Sequence, residues 1–335
     1  MKYHVLGKTG LSVSAVGFGG IPIQKVDGNG ASALIDSLIE QGINFIDTAR
    51  AYTVSEELIG MALEGRRDKF ILASKSMAKT AESMRADIET SLRNLRTDYI
   101  DLYQIHNIAP DKIDAALEKG GLVEALLEAK AEGKIRHIGL TAHSLETFRR
   151  ALELDFVETI MFPYNIVETH GEELIAECHK RNVGFICMKP LAGGAIEDAR
   201  LAMRFICQNP AVDVVIPGME SVDEVRMNCL AADDPAPLSA EELAKIEQIR
   251  DELGTNFCRR CNYCAPCTVG INIPSVFLFS GYIERYGLAD WARERYATLP
   301  VKASACVECG VCEQRCPYHL PIRQMMKKSA KEFME

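Results

Sequence analysis

Eight short apolar stretches, each followed by a longer amphipathic one, set the tightest limit on how this chain can fold. They are Ala15–Gly19, Asn44–Ala49, Phe70–Ser74, Ile100–Ile105, Ile135–Leu140, Thr159–Tyr164, Gly184–Met188 and Val214–Pro217. Their ends fall at or near Asp47, Lys75, His106, Thr141, Asn165, Lys189 and Pro217, spaced by 24 to 35 residues. That is the period of one strand with its helix. Between them, Ser83–Leu95 carries Met84, Ile88, Leu92 and Leu95 at helical spacing, and Gly171–Lys180 has an acidic first turn and a basic last one, as the helix dipole favours. Eight such units predict a (β/α)8 TIM barrel; an open doubly wound sheet, the other arrangement of this pattern, usually has fewer strands. Ahead of them, Lys2–Val5 and Leu11–Ser14 around Gly7-Lys8-Thr9-Gly10 read as an N-terminal β-hairpin.

A proline-rich break, Asp233-Asp234-Pro235-Ala236-Pro237-Leu238-Ser239, ends the repeating pattern. Ser239 with Glu242 forms a capping box that opens a helix running to about Leu253. The expected division is therefore a barrel over residues 1–253 and a second domain over 254–335.

The second domain is defined by cysteine. Of twelve cysteines, Cys178, Cys187, Cys207 and Cys229 stand alone, and eight crowd into two runs. Cys258, Cys261, Cys264 and Cys267 form C-x2-C-x2-C-x2-C; Cys306, Cys309, Cys312 and Cys316 form C-x2-C-x2-C-x3-C followed by Pro317. The second run is the bacterial ferredoxin pattern. Two-residue loops wrap three thiolates around one cluster, and the fourth, turned outward by proline, reaches another. On that logic one [4Fe-4S] cluster takes Cys258, Cys261, Cys264 and Cys316, and the other takes Cys306, Cys309, Cys312 and Cys267. The first run departs from the pattern, with Thr268 in place of proline. Zinc in tetrahedral all-cysteine sites is the alternative for eight such thiolates. Ile273–Thr298 between the runs reads as helical and holds the only tryptophan, Trp291, as core. The four isolated cysteines read as small buried apolar residues.

Several classes are disfavoured. The net charge of −9 gives no basic face for nucleic acid or an anionic membrane. No run of 18 apolar residues is present to span a bilayer. The opening residues show no apolar signal region, and clustered cysteines without one point to metal chemistry in the cytoplasm.

A barrel of this kind carries its chemistry at the C-terminal ends of its strands. Asp47, Lys75 and His106 lie at three consecutive ends, and Tyr52 sits just beyond the first. The segment Asn44-Phe45-Ile46-Asp47-Thr48-Ala49-Arg50-Ala51-Tyr52, then Ser55-Glu56 and Leu58-Ile59-Gly60, resembles the signature of the aldo-keto reductases. So do Ala73-Ser74-Lys75 and Leu102-Tyr103-Gln104-Ile105-His106. The resemblance covers roughly residues 1–232 and implies a catalytic tetrad of Asp47, Tyr52, Lys75 and His106 with a nicotinamide cofactor across the barrel mouth. Reduction of a carbonyl by hydride needs a proton delivered as charge develops on oxygen. A tyrosine of ordinary pKa, about 10, is a poor donor at neutral pH. A neighbouring Lys75 ammonium, held by Asp47, would favour the phenolate, making Tyr52 the general acid, while His106 would orient the carbonyl. One departure touches loop shape: Thr53 stands where the family often has glycine.

The cofactor residues drift further. Where the family presents Ser-Asn after the fifth strand, this chain has Thr141-Ala142 followed by His143; its usual sixth-strand Gln aligns with Met161. Asn165 and His143 are the candidate substitutes. Lys189-Pro190-Leu191-Ala192-Gly193-Gly194 resembles the seventh-strand phosphate loop, with Lys189, Leu191 and Gly193 as contacts. Gly218 opens the last loop, and Asn228 matches the adenine contact. Where relatives hold a 2′-phosphate, the aligned positions are Met219, Glu220 and Glu224. Carboxylates repel a phosphate and accept from a ribose hydroxyl, so NAD(H) is expected over NADP(H).

The cysteine module resembles the helical two-cluster ferredoxin type appended to some aldo-keto reductases. The resemblance implies an NAD(P)-dependent oxidoreductase acting on a small carbonyl or alcohol, with a redox protein as a further partner class. The alternative is a nicotinamide-binding electron-transfer or redox-sensing protein with little carbonyl turnover.

Overall fold

The computed structural model describes residues 1–334. Strands β1 (Tyr3–Val5) and β2 (Ser12–Ser14) form an antiparallel hairpin. The barrel strands follow: β3 (Phe18–Gly19), β4 (Phe45–Asp47), β5 (Ile71–Ser76), β6 (Ile100–His106), β7 (Ile135–Thr141), β8 (Thr159–Pro163), β9 (Gly184–Met188) and β10 (Val214–Ile216). Every neighbouring pair is parallel and sequential. Bridges Val16–Val215 and Gly19–Gly218 bring the last strand against the first, closing the expected (β/α)8 barrel.

Strand β3 is shorter than the sequence suggests, because its glycines serve close approach instead of ladder length. A Cβ on Gly17 would lie 2.9 Å from the Phe45 ring, and one on Gly19 would lie 2.8 Å from the Pro217 carbonyl oxygen. The hairpin closes the barrel floor. Leu6 packs with Phe45, Ala73, Leu102, Met161, Ile186 and Val214. The turn leading away from it passes so close to β9 that a Cβ on Gly7 would sit 2.1 Å from the Gly184 nitrogen.

The helices bury the faces their periodicity marks. Met84, Ile88, Leu92 and Leu95 of the helix Ala81–Leu95 all join the core between sheet and helices. Thr80 and Ser83 close its capping box, satisfying donors that the first turn leaves open.

The chain divides into two compact units. The first holds Met1–Asn165, Thr169–Pro190 and Ala199–Leu238; the second holds Ile166–Glu168, Leu191–Asp198 and the chain from Ser239 onward. The helix Ala240–Gly254, opened by the expected Ser239–Glu242 capping box, thus groups with the cysteine module. The helical stretch expected over Ile273–Thr298 is two helices, Ile273–Glu284 and Ala289–Ala297. Gly287 between them takes a left-handed φ of 64°, a conformation that ends helices. Trp291 is buried against Tyr282, ring centres 4.6 Å apart, so it is core. Of the lone cysteines, Cys178, Cys187 and Cys229 are buried and Cys207 is half-buried. Burial pushes the thiols of Cys178 and Cys229 up to about 12. Among the described residues no helix is long and apolar enough to cross a membrane.

Candidate active site and cysteine pockets

Along a strand every second side chain enters the barrel. Phe45 and Asp47 therefore share a face, as do Ala73 and Lys75, and Leu102, Gln104 and His106. The first member of each set belongs to the apolar floor layer. Asp47, Lys75 and Gln104, one step higher, are buried polar residues. Three adjacent strands thus switch from apolar to polar at their C-terminal ends.

Lys75 Nζ donates to Asp47 Oδ2 at 2.5 Å and to the Thr48 carbonyl at 2.9 Å, with both charged side chains almost fully buried. Burial holds the Lys75 ammonium below its usual range and Asp47 above its own; the contact between them opposes both shifts. Each charge is kept by the other. Gln104, the register partner of Lys75 on β6, donates from Nε2 to Asp47 Oδ1 at 3.3 Å. The sequence carried Gln104 inside a motif without marking this role.

Tyr52 hangs over this pair from the loop after β4. Lys75 Nζ lies 4.8 Å from its ring centre, and its ring meets that of His106 edge-on, centres 6.0 Å apart. The loop is tight: Tyr52 N–H reaches the Ala49 carbonyl at 3.0 Å. Thr53 follows at φ 43°, which a β-branched residue rarely adopts, and its hydroxyl bonds to Gln24 Oε1. The positive φ accounts for the glycine that the family often has here.

Behind the site, Glu56 is buried and receives Arg50 Nη1, Ser74 Oγ and Ser91 Oγ, each at 2.7 Å. It ties the Tyr52 loop to β5 next to Lys75.

The cofactor candidates fare unevenly. Thr141 is buried and its hydroxyl accepts from Asn107 N–H at 2.8 Å; His143 is half-buried just beyond. Met161 lies in the barrel's apolar layer. Asn165 is fully buried and donates from Nδ2 to the Lys189 carbonyl at 2.9 Å. Lys189 itself has φ 57°, and Gly193 and Gly194 have φ 67° and 82°. Leu191 and Gly193 belong to the second compact unit. Gly218 packs so near Pro22 that a Cβ would come within 2.8 Å of the ring. Asn228 is buried, and its Oδ1 has no hydrogen-bond partner among the described residues.

The two glutamates are engaged locally. Glu220 pairs with Lys25 at 2.7 Å. Glu224 accepts from Glu220 N–H and Ser221 N–H at 2.7 and 3.1 Å, in a capping box with Ser221. Ser221-x-x-Glu224 is a legible signal of the same kind as Ser239-x-x-Glu242. Arg226 faces Asp223 at 3.9 Å.

The eight clustered cysteines line two pockets. Cys258, Cys261, Cys264 and Cys316 line one; Cys267, Cys306, Cys309 and Cys312 line the other. Ile273 and Ile322 face both. The two runs share one backbone scheme. Positive φ occurs two and four residues after each first cysteine, at Arg260 and Asn262 and at Glu308 and Gly310, and three residues after each fourth, at Gly270 and His319. Such turns expose successive N–H groups to a bound anion or cluster sulfur. Among the described residues no three His, Cys, Asp or Glu side chains close on a single-ion position.

Comparison with known proteins gives two family matches. The aldo/keto reductase family matches residues 15–201, and a 4Fe-4S dicluster domain matches residues 257–321. L-galactose dehydrogenase from Arabidopsis thaliana is 28% identical over 302 residues, 74% of this chain and 94% of that protein. Aldo-keto reductase YhdN from Bacillus subtilis is 34% identical over 226 residues, 59% of this chain and 66% of that one. Among solved structures, the holo form of aldo-keto reductase AKR11C1 from Bacillus halodurans superposes with a TM-score of 0.65 at 28% identity, covering 74% of this chain and 96% of the other.

Proposed function

The chain belongs to the aldo/keto reductase family and carries a C-terminal 4Fe-4S dicluster domain, and from that premise we propose that it is a nicotinamide-dependent carbonyl reductase or alcohol dehydrogenase with Tyr52 as its general acid and base. The observation that carries the reading is the buried Asp47–Lys75 pair with its ammonium 4.8 Å from the Tyr52 ring. A cation at that distance in a desolvated site favours the phenolate, so proton transfer from Tyr52 to a developing alkoxide is assisted. Asp47 keeps Lys75 charged against its burial, and Gln104 holds the second carboxylate oxygen. His106, edge-on to Tyr52, stands where a donor can orient the carbonyl oxygen.

The residues present fit a nicotinamide dinucleotide. Asn228 offers a buried acceptor suited to the adenine amino group. When bound, that cofactor supplies or takes up hydride. In this reading Thr141, His143 and Asn165 would hold the nicotinamide end and Lys189 the pyrophosphate. Glu224 occupies the helix N-terminus with a carboxylate, using N–H groups that an added phosphate would otherwise find. That supports NADH over NADPH.

In the cysteine module the pocket grouping supports cross-ligation, one [4Fe-4S] cluster on Cys258, Cys261, Cys264 and Cys316 and the other on Cys306, Cys309, Cys312 and Cys267. The match of residues 257–321 to a 4Fe-4S dicluster domain favours cubanes over zinc. No flavin fingerprint is evident in the sequence, so the clusters' one-electron chemistry has no evident link to a two-electron hydride transfer.

Anaerobic oxidation of NADH and NADPH with aldehydes, ketones and quinones tests the reading. Wild type should turn over at least one carbonyl, and Tyr52→Phe should not. Equal rates for both proteins with every carbonyl would move the assignment to a nicotinamide-binding electron-transfer protein.

A further inference from the structure

The first cysteine run departs from the ferredoxin pattern at its fourth ligand. Thr268 follows Cys267, where Pro317 follows Cys316 in the second run. Both residues occupy the second position of a turn with the same closing bond. Gly270 N–H reaches the Cys267 carbonyl at 3.0 Å, and His319 N–H reaches that of Cys316 at 3.2 Å. Gly270 and His319 then both take a left-handed φ, 81° and 51°. Proline presets the backbone of such a turn; threonine gives up that rigidity and leaves the turn in place. What it adds is a hydroxyl. Thr268 Oγ1 lies 3.3 Å from Cys309 Sγ, and both residues line the pocket of Cys267, Cys306 and Cys312. Pro317 lines the other pocket and carries neither a side-chain donor nor an N–H. At this matched position one pocket has a donor to sulfur and the other has none.

We infer that Thr268 tunes the cluster held by Cys267, Cys306, Cys309 and Cys312, its hydroxyl donating to Cys309 Sγ and easing one-electron reduction of that cluster. The inference rests on the cross-ligation assignment above. With Sγ bound to iron the cysteine has no proton, so the hydroxyl is the donor and sulfur the acceptor. An added electron raises the negative charge on the ligand sulfurs. A hydrogen bond strengthens as its acceptor gains charge, so the Thr268 contact stabilises the reduced state more than the oxidised one. Hydrogen bonds to sulfur are among the determinants of cluster potential for this reason. The step affected is uptake of one electron from a one-electron reductant, such as dithionite. No bond is made or broken in it, and the hydroxyl keeps its proton. Cys309 is exposed, so water takes part of the donor's place when the hydroxyl is removed, which limits the size of the effect.

The test is a potentiometric titration with dithionite of the anaerobically loaded protein, each cluster followed by its electron paramagnetic resonance signal. Wild type is compared with Thr268→Val, Thr268→Ala and Thr268→Ser. Valine deletes the donor and nearly keeps the shape. Alanine deletes it without bulk, which keeps the question answerable if valine loads iron poorly, and serine retains the donor. In the valine and alanine variants one cluster should become about tenfold harder to reduce, a midpoint lower by about 59 mV for a one-electron couple. The other cluster should stay at its wild-type midpoint, and so should both clusters of the serine variant. The signal that moves should be the one that Cys309→Ser alters. Unmoved midpoints in the valine and alanine variants, with both clusters loaded, overturn the tuning role and leave the cluster assignment intact. Equal falls at both clusters, or an equal fall in the serine variant, would make Thr268 a packing residue of the module and overturn it too. A wild type that holds zinc and gives no cluster signal on reduction would overturn the cluster reading, and this inference with it.

Discussion

The barrel and the cysteine module reach order by different routes. In the barrel, Leu6, Phe45, Leu102, Ile186 and their neighbours fill the interior, and a second apolar shell packs helices on strands. Its polar site is built on top of a finished core, and each site residue stands on a strand end whose register is already fixed. In the module, the apolar set around Ile273, Val276, Ile322 and Met326 is small and is interrupted by eight thiols lining two pockets. Burial raises the thiols of Cys258, Cys261 and Cys312, and Cys264 is pushed up to about 12 by burial and by the neighbouring Cys258 and Cys261, whereas the Thr268 hydroxyl beside the exposed Cys309 holds that thiol below its usual range. Buried thiols crowded together resist becoming thiolates until a metal centre takes them. One region's core is closed by its own side chains; the other's is opened by two thiol-lined pockets.

The largest test of that contrast is iron removal. Anaerobically purified protein should be brown, with about eight irons and eight sulfides per chain, as two cubanes require. Air or chelator should loosen the module by several kcal/mol while the barrel keeps its cooperative transition, read as separate unfolding transitions followed by near-UV signals of Trp291 and of the barrel tyrosines. Two zinc ions and a colourless protein would overturn the cluster assignment, and a single joint transition would erase the contrast. Cys309→Ala sharpens the functional side of it. Carbonyl reductase activity unchanged in a well-folded variant would exclude the second cluster from hydride transfer.

In the barrel the largest effect is chemical. Tyr52→Phe should lower kcat by about 10²- to 10⁴-fold, the usual worth of a positioned acid, with little change in melting temperature because the ring is kept. Gln104→Leu should cost less, because Asp47 keeps its contact with Lys75. It should show mainly in the pH dependence of kcat, as the carboxylate loses a hydrogen bond.

How much of this the sequence revealed follows the same divide. The strands and the polar cluster at their ends were legible because periodicity and strand ends are local signals: Asp47, Lys75 and His106 each close an apolar run. The cysteine spacing was legible because ligand loops are short. What escaped was long-range. Thr268 and Cys309 are 41 residues apart, and the sequence marks the missing proline but not the contact. Gln104 escaped because an amide inside an apolar strand reads as a satisfied core residue. The break at Gly287 and the capping role of Glu224 were readable, but each was masked by a stronger pattern, an apolar helix in one case and an alignment with phosphate-binding positions in the other.

A smaller effect concerns the barrel's stability against acid. Burial works against the Glu158 carboxylate, yet His137, Lys130 and the Ile138 amide outweigh it and hold its pKa near 2. Because that value lies below the unfolded one, the stabilisation is full above about pH 4.5 and is lost as pH falls toward 2. Partial exposure of Lys130 screens the pair, leaving about 1–2 kcal/mol. Denaturant unfolding at pH 7 and pH 3 should show Glu158→Gln destabilising the barrel at pH 7 and much less at pH 3. An equal loss at both would mean that packing, not charge, is what Glu158 contributes.

The smallest effect expected is in the choice of nicotinamide. Glu220 is paired with Lys25 and Glu224 with its own helix cap, so neither is a bare charge aimed at the ribose. The discrimination must come from what Glu224 removes: with its carboxylate on the N–H groups of Glu220 and Ser221, the helix N-terminus is a poor phosphate site. Glu224→Gln keeps a hydrogen-bonding cap while deleting the charge, and Glu220→Ser frees Lys25 to meet a phosphate. Wild type should prefer NADH in kcat/KM. The double variant should move about tenfold toward NADPH, the worth of about 1.4 kcal/mol, with most of the change in KM because the 2′-phosphate is remote from the reacting carbon. If Glu224→Gln alone moves nothing and Glu220→Ser moves everything, the preference belongs to the freed lysine and not to the occupied helix end. A wild type that already favours NADPH would show that the capped terminus still admits a phosphate, and this account of the last barrel loop would fall.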